Sequence, residues 1–395
     1  MSGPRIGRRT WDSLLITLLS FVTALVISAI LIAIADKDTR TAAGYFFQYP
    51  WDTFTYAGQA IGNTYRALFE GAIFNPRTAS NGTAAGYFGP ISETLTYATP
   101  LIAGGLGVGL AFRAGLFNIG GQGQILAAVI CAAYVGFHWH LPVVIHLVLA
   151  IIAGILGGAL WGGISGWLKA RTGAHEVITT IMLNYVALNL VDYLLKTDGF
   201  QDSSTGQAIS YPVDHNAQLP LLFGSSMRVH LGIVLSLLAA VLVWWLMKRS
   251  RLGFRLRAVG ANPIAARTAG MSVERSYVAV MVISGALFGL AGVSQILGTN
   301  HTVTNDIDAG VGFDAITVAL LGRANPVGTV VAGLLFGALH AGSANMQQYT
   351  PIDLVTVVQG LIVLFVAAPA AIRAIFRIKS RGASTGAELA KGWNR

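Results

Sequence analysis

Apolar positions along this chain neither alternate nor follow a one-sided helical period. They run in stretches of roughly 20 residues, each long enough to cross a hydrocarbon core about 30 Å thick. Such spans are expected at 14–34, 91–113, 117–137, 142–168, 176–195, 229–247, 276–297 and 353–371. Between the last two lies 313–343, apolar but interrupted by Gly322-Arg323-Ala324-Asn325-Pro326. Pro326 lacks a backbone donor and disfavours helix at Asn325. The pattern therefore predicts a half-helix over 314–321, a break, and a second helix from 328 to about 341. The predicted fold is an all-α polytopic membrane protein with about ten membrane-crossing segments, short and broken helices included.

Composition agrees. Of 395 residues, 54% are hydrophobic and 11% charged, against about 25% charged in an ordinary soluble domain. That excludes disorder, a coiled coil and a soluble enzyme with a normally solvated surface. The single cysteine, Cys131, lies in an apolar stretch, so no intrachain disulfide forms. The net charge of +9 would suit nucleic acid, but the cations cluster beside the apolar runs and read as orienting charges. With the N-terminus inside, nineteen Lys and Arg fall on inside segments and six outside, Arg323 being unassigned. The inside set includes Arg5, Arg8, Arg9, Arg113, Lys169, Arg171, a cluster over 248–275, and tail residues from Arg373 to Arg395. Both termini are thus expected in the cytoplasm of a bacterial plasma membrane, which requires an even number of crossings, ten if 314–321 counts as one.

The expected organisation is a cytoplasmic N-terminus (1–13), a first span (14–34), an extracytoplasmic segment (35–90), a transmembrane core (91–371) and a basic tail (372–395). Ala33-Ile34-Ala35 resembles a signal cleavage site, but the apolar run before it is longer than a signal's and suits an uncleaved anchor. The aromatic stretch from Tyr45 to Tyr56 suits one or two amphipathic helices at the membrane surface. Asn81-Gly82-Thr83 fits a glycosylation acceptor, a pattern short enough to arise by chance.

Small residues announce how spans pack, since lipid gives helices no hydrophobic reason to associate. Gly154, Gly158, Gly162 and Gly166 share a face, and Gly285 with Gly289 and Gly333 with Gly337 repeat the device. The run Gly104-Gly105-Leu106-Gly107-Val108-Gly109 superficially matches a dinucleotide loop but lacks a preceding strand; it either loosens its helix or admits a close backbone.

Polar residues at membrane depth mark candidate chemistry. Asn118-Ile119-Gly120-Gly121-Gln122-Gly123-Gln124 sets three amides beside three glycines, either to satisfy a broken helix end or to line a path for a neutral hydroxylated solute. Glu176 opens the next but one span, where a carboxylate suits a helix N-terminus, and Asn184 and Asp192, eight residues apart, share a face. Inside loop 248–275 holds Asn262, a good N-cap, Pro263 for the first helical position and Gly270 for a C-terminal stop. They specify a short helix that needs a surface to dock on, whether its own protein's or a partner's. No lysine sits in a Gly-Lys-Ser/Thr phosphate loop, no His/Cys/carboxylate set has metal spacing, and no nucleophile–base arrangement stands out. His138-Trp139-His140 reads as an interfacial turn.

At these sites the sequence resembles permease subunits of bacterial ABC importers of the simple-sugar and nucleoside type. The resemblance rests on Gly115 to Gln124, on Glu176 to Tyr185, and on Gly253 to Gly270, with Arg255, Arg257, Gly260, Asn262, Ala265, Ala266 and Gly270 as marked positions. It continues through Gly312-Phe313-Asp314-Ala315-Ile316, Ala319 to Gly322 and Asn325-Pro326-Val327-Gly328. Phe-Asn-Ile-Gly-Gly-Gln-Gly-Gln looks more like the nucleoside branch than the ribose branch. The resemblance implies a non-enzymatic transport subunit without cofactor, in which Asn118, Gln122, Gln124, Asn184 and Asp314 line the translocation pathway. Arg257, Gly260, Asn262, Pro263, Ala265, Ala266, Arg267 and Gly270 would then couple it to a separate cytoplasmic ATPase that binds ATP and magnesium. It further implies a second permease, copy or paralogue, an extracytoplasmic solute-binding lipoprotein and surrounding lipid, with no nucleic acid. A simple-sugar permease and an ion-coupled secondary transporter are the alternatives, the latter motivated by the broken 313–343 region.

Overall fold

The computed structural model describes residues 8–367, 373 and 375–377. The basic tail beyond 377 and the first seven residues, Arg5 among them, lie outside the described residues. The described chain is helical, with three isolated β-bridges and no sheet among the described residues. Among the described residues six helices are long and apolar enough to cross a membrane: Ala84–Arg113, Val143–Thr172, Glu176–Leu194, Gly232–Arg249, the stretch Val273–Asn300 and Pro326–Met346. Shorter apolar stretches occupy Val22–Ala35, Val311–Leu321 and Ile352–Ile362.

Contacts divide the chain into two units. The first combines Met1–Gly71 with Ala341–Arg395. It holds α1 (Arg8–Ala35), α2 (Lys37–Ala43), most of α3 (Pro50–Ala72), and α15 (Ile352–Ala367), which packs on α1. Asp36 caps α2 by accepting from the Thr39 amide at 2.8 Å. Tyr65 donates its hydroxyl to the Leu25 carbonyl, and Thr64 meets Thr350 at 2.8 Å. Phe47, Tyr49, Trp51 and Phe54 are exposed around the start of α3.

The second unit, Ala72–His340, carries the remaining elements. They are α4 (Pro76–Ala79), α5 (Ala84–Arg113), α6 (Gly121–His138), α7 (Val143–Thr172), α8 (Glu176–Leu194), α9 (Gly232–Arg249), α10 (Arg251–Ala261), α11 (Pro263–Thr268), α12 (Val273–Gln295), α13 (Val311–Leu321) and the greater part of α14 (Pro326–Met346). Thr83 caps α5 by accepting from the Gly86 amide at 3.1 Å, so the last residue of the Asn-Gly-Thr pattern has a structural task. The most buried spans are α5 and α12, each 83% covered over its apolar window; α7 and α8 are covered over 33% and 22%. A helix apolar all round belongs in a core, and α6, α7, α9 and α13 pack about this pair.

Close approach of backbones is what the glycines supply. A Cβ on Gly158 would lie 2.4 Å from the Gly285 carbonyl oxygen, and one on Gly162 would lie 2.5 Å from that of Met281. The α7–α12 seam therefore excludes any larger residue there. The Gly104–Gly109 run stays helical, and Gly107 admits the Ser284 backbone, whose carbonyl oxygen would lie 2.9 Å from a Cβ there. The break also forms: α13 ends at Leu321, Arg323 and Ala324 take positive φ, and Asn325 accepts from the Val327 amide at 3.3 Å. Because Pro326 serves as the first helical residue, α14 starts two residues earlier than the sequence predicts. One feature has no sequence forewarning. After Gln295 the helix widens into a π-turn, Ile296–Asn300, ending at His301 with φ 59°. The irregular segment after α8 hangs on this turn through backbone bonds from Leu219 to Leu297 and from Val213 to His301, both 2.8 Å.

Candidate functional site

Gly115, with φ 75°, turns the chain out of α5 and leads it through Asn118 into α6. Asn118 is fully buried, and its four hydrogen-bonding positions are all filled. Its amide donates to Gln124 Oε1 at 3.1 Å and to Ser284 Oγ at 2.8 Å; its Oδ1 accepts from the Gly120 amide at 3.0 Å and from Gln124 Nε2 at 3.1 Å. Ser284 passes the chain on by donating to the Gly107 carbonyl at 2.9 Å. Asn184, 4% exposed, reaches from α8 to the same joint, accepting from the Gly123 amide at 2.9 Å and donating to the Ile119 carbonyl at 3.0 Å. Two amide side chains thus satisfy the start of α6, whose first amides have no intrahelical partner, and the Ser284 hydroxyl holds Asn118 in place.

Two of the expected pathway residues keep accessible surface. Gln122, half-buried at the start of α6, donates to Asp308 Oδ1 at 3.2 Å. Asp308 itself is 2% exposed. Gly312 lies flush against Gln122, since a Cβ there would come 2.4 Å from its backbone nitrogen. Asp314, one turn into α13, stands 3.3 Å from His340 Nε2, with 36% of its side chain exposed. The His340 ring stacks on Tyr97 of α5, centroids 6.1 Å apart. Sequence reasoning missed Ser284, Asp308, His340 and Tyr97, because each meets its partner across a long stretch of chain. Asn118, Gln124 and Asn184 keep almost no accessible surface in this conformation, whereas Gln122, Asp314, Tyr97 and His340 keep some.

At the end of the helices that bears Arg113, Lys248 and Arg249, α10 and α11 form a bracket. Asn262 ends α10 and caps α11, its Oδ1 accepting from the amides of Ile264 and Ala265 at 3.0 Å each. Pro263 takes the first position and Gly270, with φ 79°, follows the end. Ala266 is the one buried residue of α11, packed with Val259 and Val273. Gly260 lets α10 press on the end of α5, where a Cβ would lie 2.4 Å from the Arg113 carbonyl oxygen. Arg257, Pro263, Ala265 and Arg267 are exposed, Arg267 paired with Glu274. Ile264 is 80% exposed, an apolar tip that the outward register of a helix buried only at Ala266 would have disclosed. Nearby, Lys169 closing α7 pairs with Glu176 opening α8 at 2.8 Å, each charge opposing its helix dipole. Among the described residues no group of three or more His, Cys, Asp or Glu is placed to hold a metal ion.

Comparison with known proteins follows this geometry. Residues 91–367 match the family described as branched-chain amino acid transport system / permease component. The chain is 40% identical over 339 residues to the guanosine ABC transporter permease protein NupP of Bacillus subtilis, covering 83% of this chain and 92% of that protein. It is 36% identical to the glucose ABC transporter permease protein TsgB13 of Haloferax volcanii, over 72% of this chain and 77% of the relative. Against the nucleoside ABC transporter permease protein NupB of Lactococcus lactis the identity is 34%, over 72% and 81%. No solved structure matches. With most of its length matched from the start of the core through α15, the chain belongs to the branched-chain amino acid transport system permease family.

Proposed function

We propose that this chain is a pore-forming permease subunit of an ATP-driven importer for nucleosides, worked from the cytoplasm by a separate ATPase that binds ATP and magnesium. The observation that carries the reading is α11, a capped two-turn helix that buries Ala266 and turns Ile264 outward. A helix of 6 residues does not stand alone in water, and an 80% exposed isoleucine on it suits a partner's hydrophobic cleft. The excess of basic residues at this end supports a cytoplasmic placement with both termini inside. Ten crossings, with α13 counted as a short one, keep that parity. A second permease and a secreted solute-binding lipoprotein would complete the importer.

Movement of the α10–α11 bracket reaches the core through Gly260 on α5, and α5 in turn touches α12 and α13. Alternating access then follows as a rocking of packed helices between two arrangements. For the solute, Asp314 accepts from sugar hydroxyls, and the Tyr97 ring offers a face to a base; contacts so few suit a path that must also release. The relatives named for guanosine and for nucleosides favour a nucleoside, and the one named for glucose keeps a hexose as the second reading. Uptake of radiolabelled guanosine by cells with and without the chain separates them. Nucleoside uptake that requires the chain and ATP, and that adenosine but not glucose competes, is expected. Competition by glucose alone establishes the sugar reading, and uptake that survives ATP depletion but collapses with an ion gradient contradicts the importer.

A further inference from the structure

A cavity of about 100 Å³ lies beside the bracket, walled on one side by Leu106 and Leu110 and on the other by the cations Arg113, Lys248 and Arg257. A cavity needs only about 10–15 Å³ of such space to admit a water, so this one has room for a small polar group. No carboxylate lines it. Among the described residues, Glu176 is paired with Lys169 and Glu274 with Arg267. Three like charges around one small cavity repel one another unless an anion joins them.

The cavity is also built rather than accidental. Arg113 Nε donates to the Ala324 carbonyl at 3.0 Å, which fixes the guanidinium at the rim. Gly109 lets the left-handed turn at Ala324 approach α5 closely, since a Cβ there would lie 3.3 Å from the Ala324 Cα. That turn aims the start of α14, Asn325 to Thr329, at the same cavity, and a helix N-terminus adds positive potential. Lys248 sits 5.4 Å from the Trp244 ring centroid, and Trp245 beside it is 54% exposed. A tryptophan pair followed by Lys248 and Arg249 marks the level of lipid headgroups.

We propose that this cavity binds the phosphate of an anionic membrane lipid, with Arg113, Lys248 and Arg257 as the charge-assisted donors. The acyl chains leave along the apolar outer face of α9, where Val241 and Leu242 are 60% and 64% exposed. The proposal rests on the membrane placement given above but not on the solute or on the ATPase. Its consequence is that lipid charge sets how firmly α10, and through it the bracket, is held against α5.

The test uses the purified full chain in detergent and reads the thermal midpoint and tryptophan fluorescence against short-chain phosphatidylglycerol, phosphatidylcholine and inorganic phosphate. Phosphatidylglycerol is expected to raise the midpoint saturably and phosphatidylcholine to leave it unchanged. Arg113→Gln and Lys248→Gln should each weaken the effect roughly tenfold, as loss of one charge-assisted bond implies, while Lys248→Arg restores it. Should the glutamine variants fold poorly, Lys248→Arg against Lys248→Met in phosphatidylglycerol and phosphatidylcholine nanodiscs makes the same comparison in a bilayer. Equal response to both lipids, or a phosphatidylglycerol response untouched by the substitutions, overturns the site. Saturation by inorganic phosphate as tight as by phosphatidylglycerol assigns it to a soluble anion and overturns the lipid. None of these readouts involves uptake, so failure here leaves the importer reading standing.

Discussion

Asn184 ties two segments that the chain keeps 61 residues apart, completing the backbone of the α6 entry from both sides at once. Its replacement by alanine leaves the Gly123 amide and the Ile119 carbonyl buried and unpaired. The expected cost is about 1–3 kcal/mol for each group, read as a lowered thermal midpoint in detergent; an unchanged midpoint would mean the joint is not structural. Asp314 differs in keeping 36% of its side chain exposed. Asp314→Asn and Tyr97→Leu are expected to raise KM for nucleoside uptake severalfold with membrane levels intact, and an unaltered KM would remove both from the path. The density of amides and glycines over 115–124 was visible in the sequence. Their partners were not, since Asn118 meets Ser284 across 166 residues and Gln122 meets Asp308 across 186, separations that only the packed core brings together.

Among the elements, α11 was legible because every signal for it is local: the cap, the proline and the stop glycine lie within nine positions. Asn262→Ala removes two hydrogen bonds from its first turn and is expected to weaken the helix by about 1 kcal/mol, while Asn262→Asp preserves the cap. The measurable outcome is uptake that falls in the alanine variant and returns in the aspartate variant, with equal amounts of protein in the membrane. Loss in both, or in neither, would separate the cap from the activity. The α7 glycine face was equally plain, a four-residue spacing that the α12 backbone then fills. By contrast the π-turn at Ile296–Asn300 and the left-handed Arg323 and Ala324 were hidden, because tertiary bonds and not residue preference hold them.

At the scale of the molecule, length and apolarity announced a membrane protein, and among the described residues six long apolar helices agree. The finer count depends on pieces such as α13, 11 residues long, whose crossing no composition rule decides. Which spans would be central was also beyond pattern reading, since α5, α7 and α12 are all apolar around their circumference and differ only in what they meet. The account's central claim is that another protein seizes α11. A photoreactive maleimide on Ile264→Cys, in a Cys131→Ser background and in membranes from cells actively importing solute, tests it most directly. The account expects one dominant adduct, to an ATP-binding subunit, with a yield that changes on adding ATP. Adducts confined to this chain itself or to lipid, under conditions that support uptake, would contradict it.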